Sequence, residues 1–202
     1  MPLWGTTHDA ATNKPKFEPT DENSDYKRGD VYATQAGWVR QAGTAASGND
    51  NTSATPEVLV AIGDLAGSSS STGLRAPTVT SMRFVTSSLV NGGSKTLTVE
   101  VTWDEAVTVA GSPQVVVANG NQSSDGDGNA TLTYTATGST ANRKRFTASS
   151  LTFSTSDVYT LGGADITLNS GTISDTVVGG TTLAASLALD GLTAVTKTVV
   201  AS

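Results

Sequence analysis

Between positions 96 and 118 apolar and polar residues take turns. Leu97, Val99, Val101 and Trp103 fall on one side of an extended backbone, and Thr96, Thr98, Glu100 and Thr102 fall on the other. A period of two marks a half-buried β-strand, one face toward a core and one toward water. Gly111-Ser112-Pro113 breaks the run before a second apolar stretch, so the unit reads as strand, turn, strand. Further short stretches of this kind occupy 79–85, 95–103, 106–109 with 114–117, 130–136, 146–153, 165–168 with 172–173, and 192–200. Asn91-Gly92-Gly93, the loop 125–129, Gly162-Gly163 and Gly179-Gly180 punctuate them. About seven short strands at this spacing predict an immunoglobulin-like β-sandwich over residues 76–202. Its inward side chains are predicted to be Phe84, Leu97, Val99, Val101, Trp103, Val115, Val117, Leu132, Tyr134, Leu151, Phe153, Ile166, Leu168 and Ile173.

The pattern is different upstream. Residues 67–75, Gly-Ser-Ser-Ser-Ser-Thr-Gly-Leu-Arg, offer little apolar surface and read as a flexible linker. Within residues 1–66, positions 13–19 are broken by prolines, 21–30 are charged and read as loop or a short weak helix, and 43–54 form a Gly/Ser/Asn loop. Positions 32–39 look like one short strand, and 57–62 like another that could pair with it as a hairpin. Two strands alone are marginal in water. Trp4, Phe17, Tyr26, Tyr32 and Trp38 are therefore expected to bury against another copy or a larger assembly. Trp4, Phe17, Tyr32 and Trp38 become the candidate interface anchors, with packing inside one chain as the competing reading. The expected fold class is all-β: a C-terminal Ig-like β-sandwich preceded by an extended, hairpin-containing N-terminal docking region.

Composition narrows the partners. Only 5% of residues are aromatic and 15% charged, with a net charge of -6 and a pI near 4.6. An acidic chain without a basic stripe is a poor match for nucleic acid. With no cysteine, disulfides and thiolate metal sites are closed. No apolar run reaches the roughly 18 residues of a membrane helix. Met1-Pro2-Leu3-Trp4-Gly5 has neither the basic nor the apolar region of a secretory leader.

Candidate chemistry is sparse. Asp125, Asp127 and Asn129 stand at the 1, 3, 5 spacing of a calcium loop, but Ala130 takes the sixth position and Ala136 the twelfth, where Gly and Glu are needed. A polar turn is the favoured reading, with these three as weak metal candidates. Asp104, Glu105 and Asp175 could supply further ligands, although a strand carboxylate is ordinarily solvated. His8 is the single histidine and has no Ser-His-Asp setting. Arg143-Lys144-Arg145 is a basic cluster that reads as a solvated loop tip. No cofactor and no enzymatic activity are expected.

Two resemblances add to this reading. The stretch Val101-Thr102-Trp103-Asp104-Glu105-Ala106-Val107-Thr108-Val109, then Gly111-Ser112-Pro113-Gln114-Val115, then Leu168-Asn169-Ser170-Gly171-Thr172-Ile173-Ser174-Asp175 resembles the Ig-like, cadherin-like repeats of bacterial adhesins. Those modules serve mainly as spacers and stalks. Met1 to Gly5, Asn13-Lys14-Pro15-Lys16-Phe17, Ala36-Gly37-Trp38-Val39 and Glu57-Val58-Leu59-Val60-Ala61-Ile62-Gly63 are similar to the opening of virion structural proteins from tailed marine cyanophages. That likeness implies a non-enzymatic capsid decoration, cement or head-fibre protein at the virion surface, assembled in the host cytoplasm. The implied partners are the major capsid protein or other virion proteins, further copies of the chain, and host-surface glycan, with no nucleic acid and no membrane. A tail or fibre component, and a surface adhesin or carbohydrate-binding module, are the alternatives.

Overall fold

The computed structural model describes residues 28–44, 47, 49–66, 74, 76–120, 126–176 and 182–202. Within them the fold is all-β, as the alternation predicts, with a single 3-10 turn at Arg28–Asp30. Strands β1 (Val31–Thr34), β2 (Gly37–Arg40) and β3 (Glu57–Ala61) form an antiparallel sheet in that order. The expected single strand over 32–39 is thus a hairpin. Gly37 sits at φ +123° where a Cβ would run into the Val60 carbonyl, so only glycine lets the chain reverse there. The expected pairing with 57–62 is present, as β2 against β3.

The rest of the chain forms a body. Its strands are β4 (Val79–Phe84), β5 (Leu89–Val90), β6 (Gly92–Trp103), β7 (Val107–Ala110), β8 (Gln114–Asn119), β9 (Ala130–Thr135), β10 (Arg143–Phe153), β11 (Val158–Leu161), β12 (Thr172–Asp175) and β13 (Val195–Val200). Eight of them join in the order β4-β6-β10-β9-β8-β11-β13-β5, and β12 pairs with β7. β8 changes neighbours part-way along: Gln114 to Val117 pair with β9, then Ala118 and Asn119 pair with β11. A strand that switches partners turns a corner in the sheet. The sheet bends back far enough that β4 lies against β11 and β13. Met82 of β4 packs over Gly162, just past β11, where any Cβ would displace its thioether.

One apolar core fills the enclosed space. Leu97, Val99, Val101 and Trp103 of β6 are fully buried, opposite Val115, Val117, Leu132, Phe146, Tyr159 and Leu161. Burying each such large side chain contributes roughly 1.5–3 kcal/mol relative to exposure. The Trp103 indole also donates to the Ser186 carbonyl at 3.0 Å, which ties the long segment after β12 to β6. Strands β5 and β11 were not foreseen. β5 has two residues and takes its register from a parallel partner, β13, through Leu89 opposite Val199 and Val90 opposite Val200. Residues 165–168, expected as strand, make only a bridge between Gln114 and Thr167.

Candidate functional site: the joint between the N-terminal sheet and the body

The small sheet carries its own core. Val31, Ala33 and Trp38 pack with Leu65, Ala66 and Leu74, and Leu59, Val60 and Ile62 close the edges. Trp38 is completely buried and Tyr32 nearly so. Both predicted anchors are buried side chains: Leu65 and Leu74 pack with Trp38, while Tyr32 lies with its partner Val39 on the other face of the sheet, outside that cluster. Leu74 belongs to the stretch read as linker, yet it is buried, and its amide donates to the Leu65 carbonyl at 2.7 Å. Burial also raises the Tyr32 phenol above its ordinary pKa. Trp4, Phe17, Tyr26, His8 and Asp125 lie outside the described residues.

This core meets the body through polar contacts. The Ala33 amide donates to the Asp104 carbonyl at 2.6 Å, at the end of β6. Asn142 is completely buried, and its Nδ2 donates to the Gly29 carbonyl at 2.9 Å and the Trp103 carbonyl at 3.0 Å. Arg143 Nη1 lies 2.7 Å from Asp30 Oδ1 and 3.9 Å from Glu100 Oε1. Glu100 gathers two more arginines. Arg83 Nε donates to Oε1 at 2.9 Å with its Nη2 at 2.8 Å from the same oxygen, and Arg145 Nε donates to Oε2 at 3.1 Å.

The alternation puts Glu100 on the face of β6 turned away from the core, and solvent was the expectation there. It is instead 1% exposed. Burial pushes its carboxyl up, but the charges of Arg143 and Arg83 and the hydrogen bonds from Arg83 and Arg145 outweigh that and hold it below the usual glutamate range. Arg143-Lys144-Arg145 is accordingly no solvated loop tip. It opens β10, with Arg143 and Arg145 turned to Glu100 and Lys144 buried on the other face. Lys144 Nζ donates to the Thr140 carbonyl at 2.6 Å, and burial lowers its pKa to about 8.

Of the carboxylates singled out as possible ligands, three are buried and Asp127 is exposed. Asp104 and Glu105 are buried, and Asp104 Oδ1 accepts from the Thr78 amide at 2.6 Å. Asp175 is buried, and its Oδ1 accepts from the Leu183 amide at 2.9 Å. Asp127 Oδ2 accepts from the Thr152 amide at 2.5 Å, and Asn129 Oδ1 accepts from the Asn119 amide at 2.9 Å. These side chains fasten loops to strand ends. Among the described residues no group of three His, Cys, Asp or Glu is placed to hold a metal ion.

Among the described residues the free edge of the N-terminal sheet is at β3. Among the described residues β3 pairs only with β2, and Val58 is 51% exposed on it. Nothing in the local pattern singles out Val58, because an edge is a property of sheet order. The arrangement can hold two parts of one chain together and offer a strand edge to another chain. No family model, characterised protein or solved structure matches this chain.

Proposed function

We propose that this protein is a non-enzymatic structural component of a virion, a capsid decoration or head-fibre protein attached through its N-terminal region. The observation that carries the reading is the open β3 edge with its exposed Val58. An unpaired strand edge bearing an apolar side chain is a ready partner for a strand of another chain. The segments similar to cyanophage virion proteins, residues 36–39 and 57–63, supply β2, β3 and their flanks. Trp38 and Tyr32 support docking indirectly, by holding the sheet that displays the edge. The body then projects outward, and its loops are the surface for host glycan.

Attachment is binding energy without turnover. Added backbone hydrogen bonds and apolar burial across neighbouring shell subunits stabilise the shell, and several copies repeat the contact. Consistent with this, the buried carboxylates Glu100, Asp104 and Asp175 are engaged by arginines or backbone amides. The test is a density map of purified particles together with the Val58→Lys variant. The expected result is density for the chain on the shell, with at least about tenfold lower occupancy for the variant at unchanged circular dichroism. Particles that lack the chain, or full occupancy by the variant, overturn the reading. Glycan binding without particle association would favour an adhesin or carbohydrate-binding module instead.

A further inference from the structure

Arg83, Arg143 and Arg145 bring three guanidinium groups to Glu100, and Asp30 adds a second carboxylate. Three positive charges against two negative leave one positive charge unmatched within the cluster. The excess falls on Arg145. Arg83 places two nitrogens on Glu100 Oε1, at 2.9 and 2.8 Å, and Arg143 places its Nη1 on Asp30 at 2.7 Å. Arg145 gives Glu100 only its Nε, at 3.1 Å, and among the described residues its Nη1 and Nη2 have no acceptor. Its side chain is also the most open of the three, 31% exposed against 23% for Arg83 and 14% for Arg143.

Arg145 is nevertheless held in place. Its amide donates to Ser139 Oγ at 2.9 Å, and that hydroxyl donates to the Thr135 carbonyl at 2.7 Å. The guanidinium lies over Gly138, at φ +73°, where any Cβ would run into Nη1. The fork of Nη1 and Nη2 is thus pre-set, and a ligand meets it with little ordering cost. Such a fork matches two oxygens of a carboxylate or sulfate.

The strand register builds the surroundings. One row across the sheet reads Arg83, Glu100, Arg145 and Thr135, on β4, β6, β10 and β9. Two positions along the strands stands a row of hydroxyls, Thr98, Thr147 and Thr133 on β6, β10 and β9. Both rows are turned from the core, because the residues between them, Val99, Phe146 and, on β9, Leu132 beside Thr133, point into it. Thr98 and Thr147 share a hydrogen bond at 3.0 Å, while the half-exposed Thr133 hydroxyl has no partner among the described residues. The rows are about 7 Å apart and neighbouring strands about 5 Å, the scale of a sugar ring. An acidic peptide or a free anion would use the fork alone. A sugar that carries an oxyanion also uses the hydroxyls, as donors and acceptors.

We propose that the outer face of β6, β10 and β9 binds an acidic saccharide, with its carboxylate or sulfate on Arg145 and its ring hydroxyls on Thr133 and Thr147. The site lies apart from the β3 edge and from the loops of the body. It stands whether or not the chain belongs to a virion.

Isothermal titration of the full-length protein tests it. The probes are an oligogalacturonate, a sulfated galactan fragment and a neutral galacto-oligosaccharide of equal length, with polyglutamate and inorganic sulfate beside them. At least one acidic oligosaccharide should bind, at least about tenfold tighter than the neutral one, polyglutamate or sulfate ion. Which of the two binds better tells carboxylate from sulfate. Arg145→Gln should weaken that binding by at least about tenfold and Thr133→Val by about threefold, each at unchanged circular dichroism. Should Arg145→Gln fail to fold, Thr133→Val decides, because it exchanges one hydroxyl for a methyl of the same shape. Binding of neither acidic oligosaccharide overturns the proposal, as does equal affinity for the neutral sugar, polyglutamate or sulfate ion. Unchanged affinity in a folded Arg145→Gln or in Thr133→Val overturns it too.

Discussion

Replacing Asn142 by aspartate tests the joint without changing its shape. The two side chains have the same size, so no cavity and no clash intervenes. The amide nitrogen now donates to two carbonyl oxygens, of Gly29 at 2.9 Å and Trp103 at 3.0 Å, from a position with no solvent exposure. In Asn142→Asp an ionised oxygen would face both carbonyls. Two hydrogen bonds are lost, worth about 1 kcal/mol each, and a charge appears at a fully buried position. Destabilisation of at least about 3 kcal/mol at pH 7 follows, unless the carboxyl takes up a proton.

That alternative sets the pH dependence. The ionised form costs about 2 kcal/mol more than the protonated form, roughly one and a half pKa units, so the introduced carboxyl rises from about 3.9 unfolded to about 5.4 folded. Below the unfolded value both states are protonated, and the carboxyl O–H restores one of the two bonds. As pH climbs from about 4 to 6 the unfolded state ionises first, and the penalty grows to its plateau. Urea unfolding of both proteins at pH 4 and pH 7 reads this as a difference of differences, about 1 kcal/mol at the lower pH and about 3 at the higher. A variant within about 0.5 kcal/mol of the parent at pH 7 would mean that the Asn142 bonds do not hold the joint.

Two further outcomes are expected. Trp38→Ala should cost about 3–5 kcal/mol within the N-terminal sheet and leave the near-ultraviolet signature of Trp103 in place, because the two indoles belong to different cores. Lys144, with its pKa lowered to about 8 by burial, binds its proton less tightly folded than unfolded. Stability should therefore rise between about pH 8 and 10, by an amount on the order of 2–3 kcal/mol, and Lys144→Met should flatten that slope in a pH series of thermal melts.

The sequence was a good guide wherever burial is written into local period. The alternation of 95–103 is β6, and its apolar members line the body core as expected. Phe84, Tyr134, Leu151 and Leu168, also expected inside, border that core half-buried. The failures share a cause. Glu100 was assigned to solvent because its strand has one apolar face, but cover over the other face comes from Asp30, seventy positions earlier in the chain, together with β4 and β10. Trp38 looks short of cover in the sequence because Leu74, which packs in its cluster, sits in a Ser/Gly-rich stretch. β5 is too short to carry a period at all. Long-range cover leaves no trace in a window of ten residues.

The parallel pairing of β5 with β13 also dictates when the molecule can be finished. Lys197, at the far end of the chain, donates to the Thr86 carbonyl across 111 positions, and Leu89 waits for Val199. Until residues 195–200 have been made, β5 lacks its one partner among the described strands and the Phe84 ring lacks the ammonium that rests over it. Closure must wait for that strand, and contacts at such separation form slowly. Before it arrives the growing chain carries exposed strand edges, a window in which pairing with the wrong copy competes with completion.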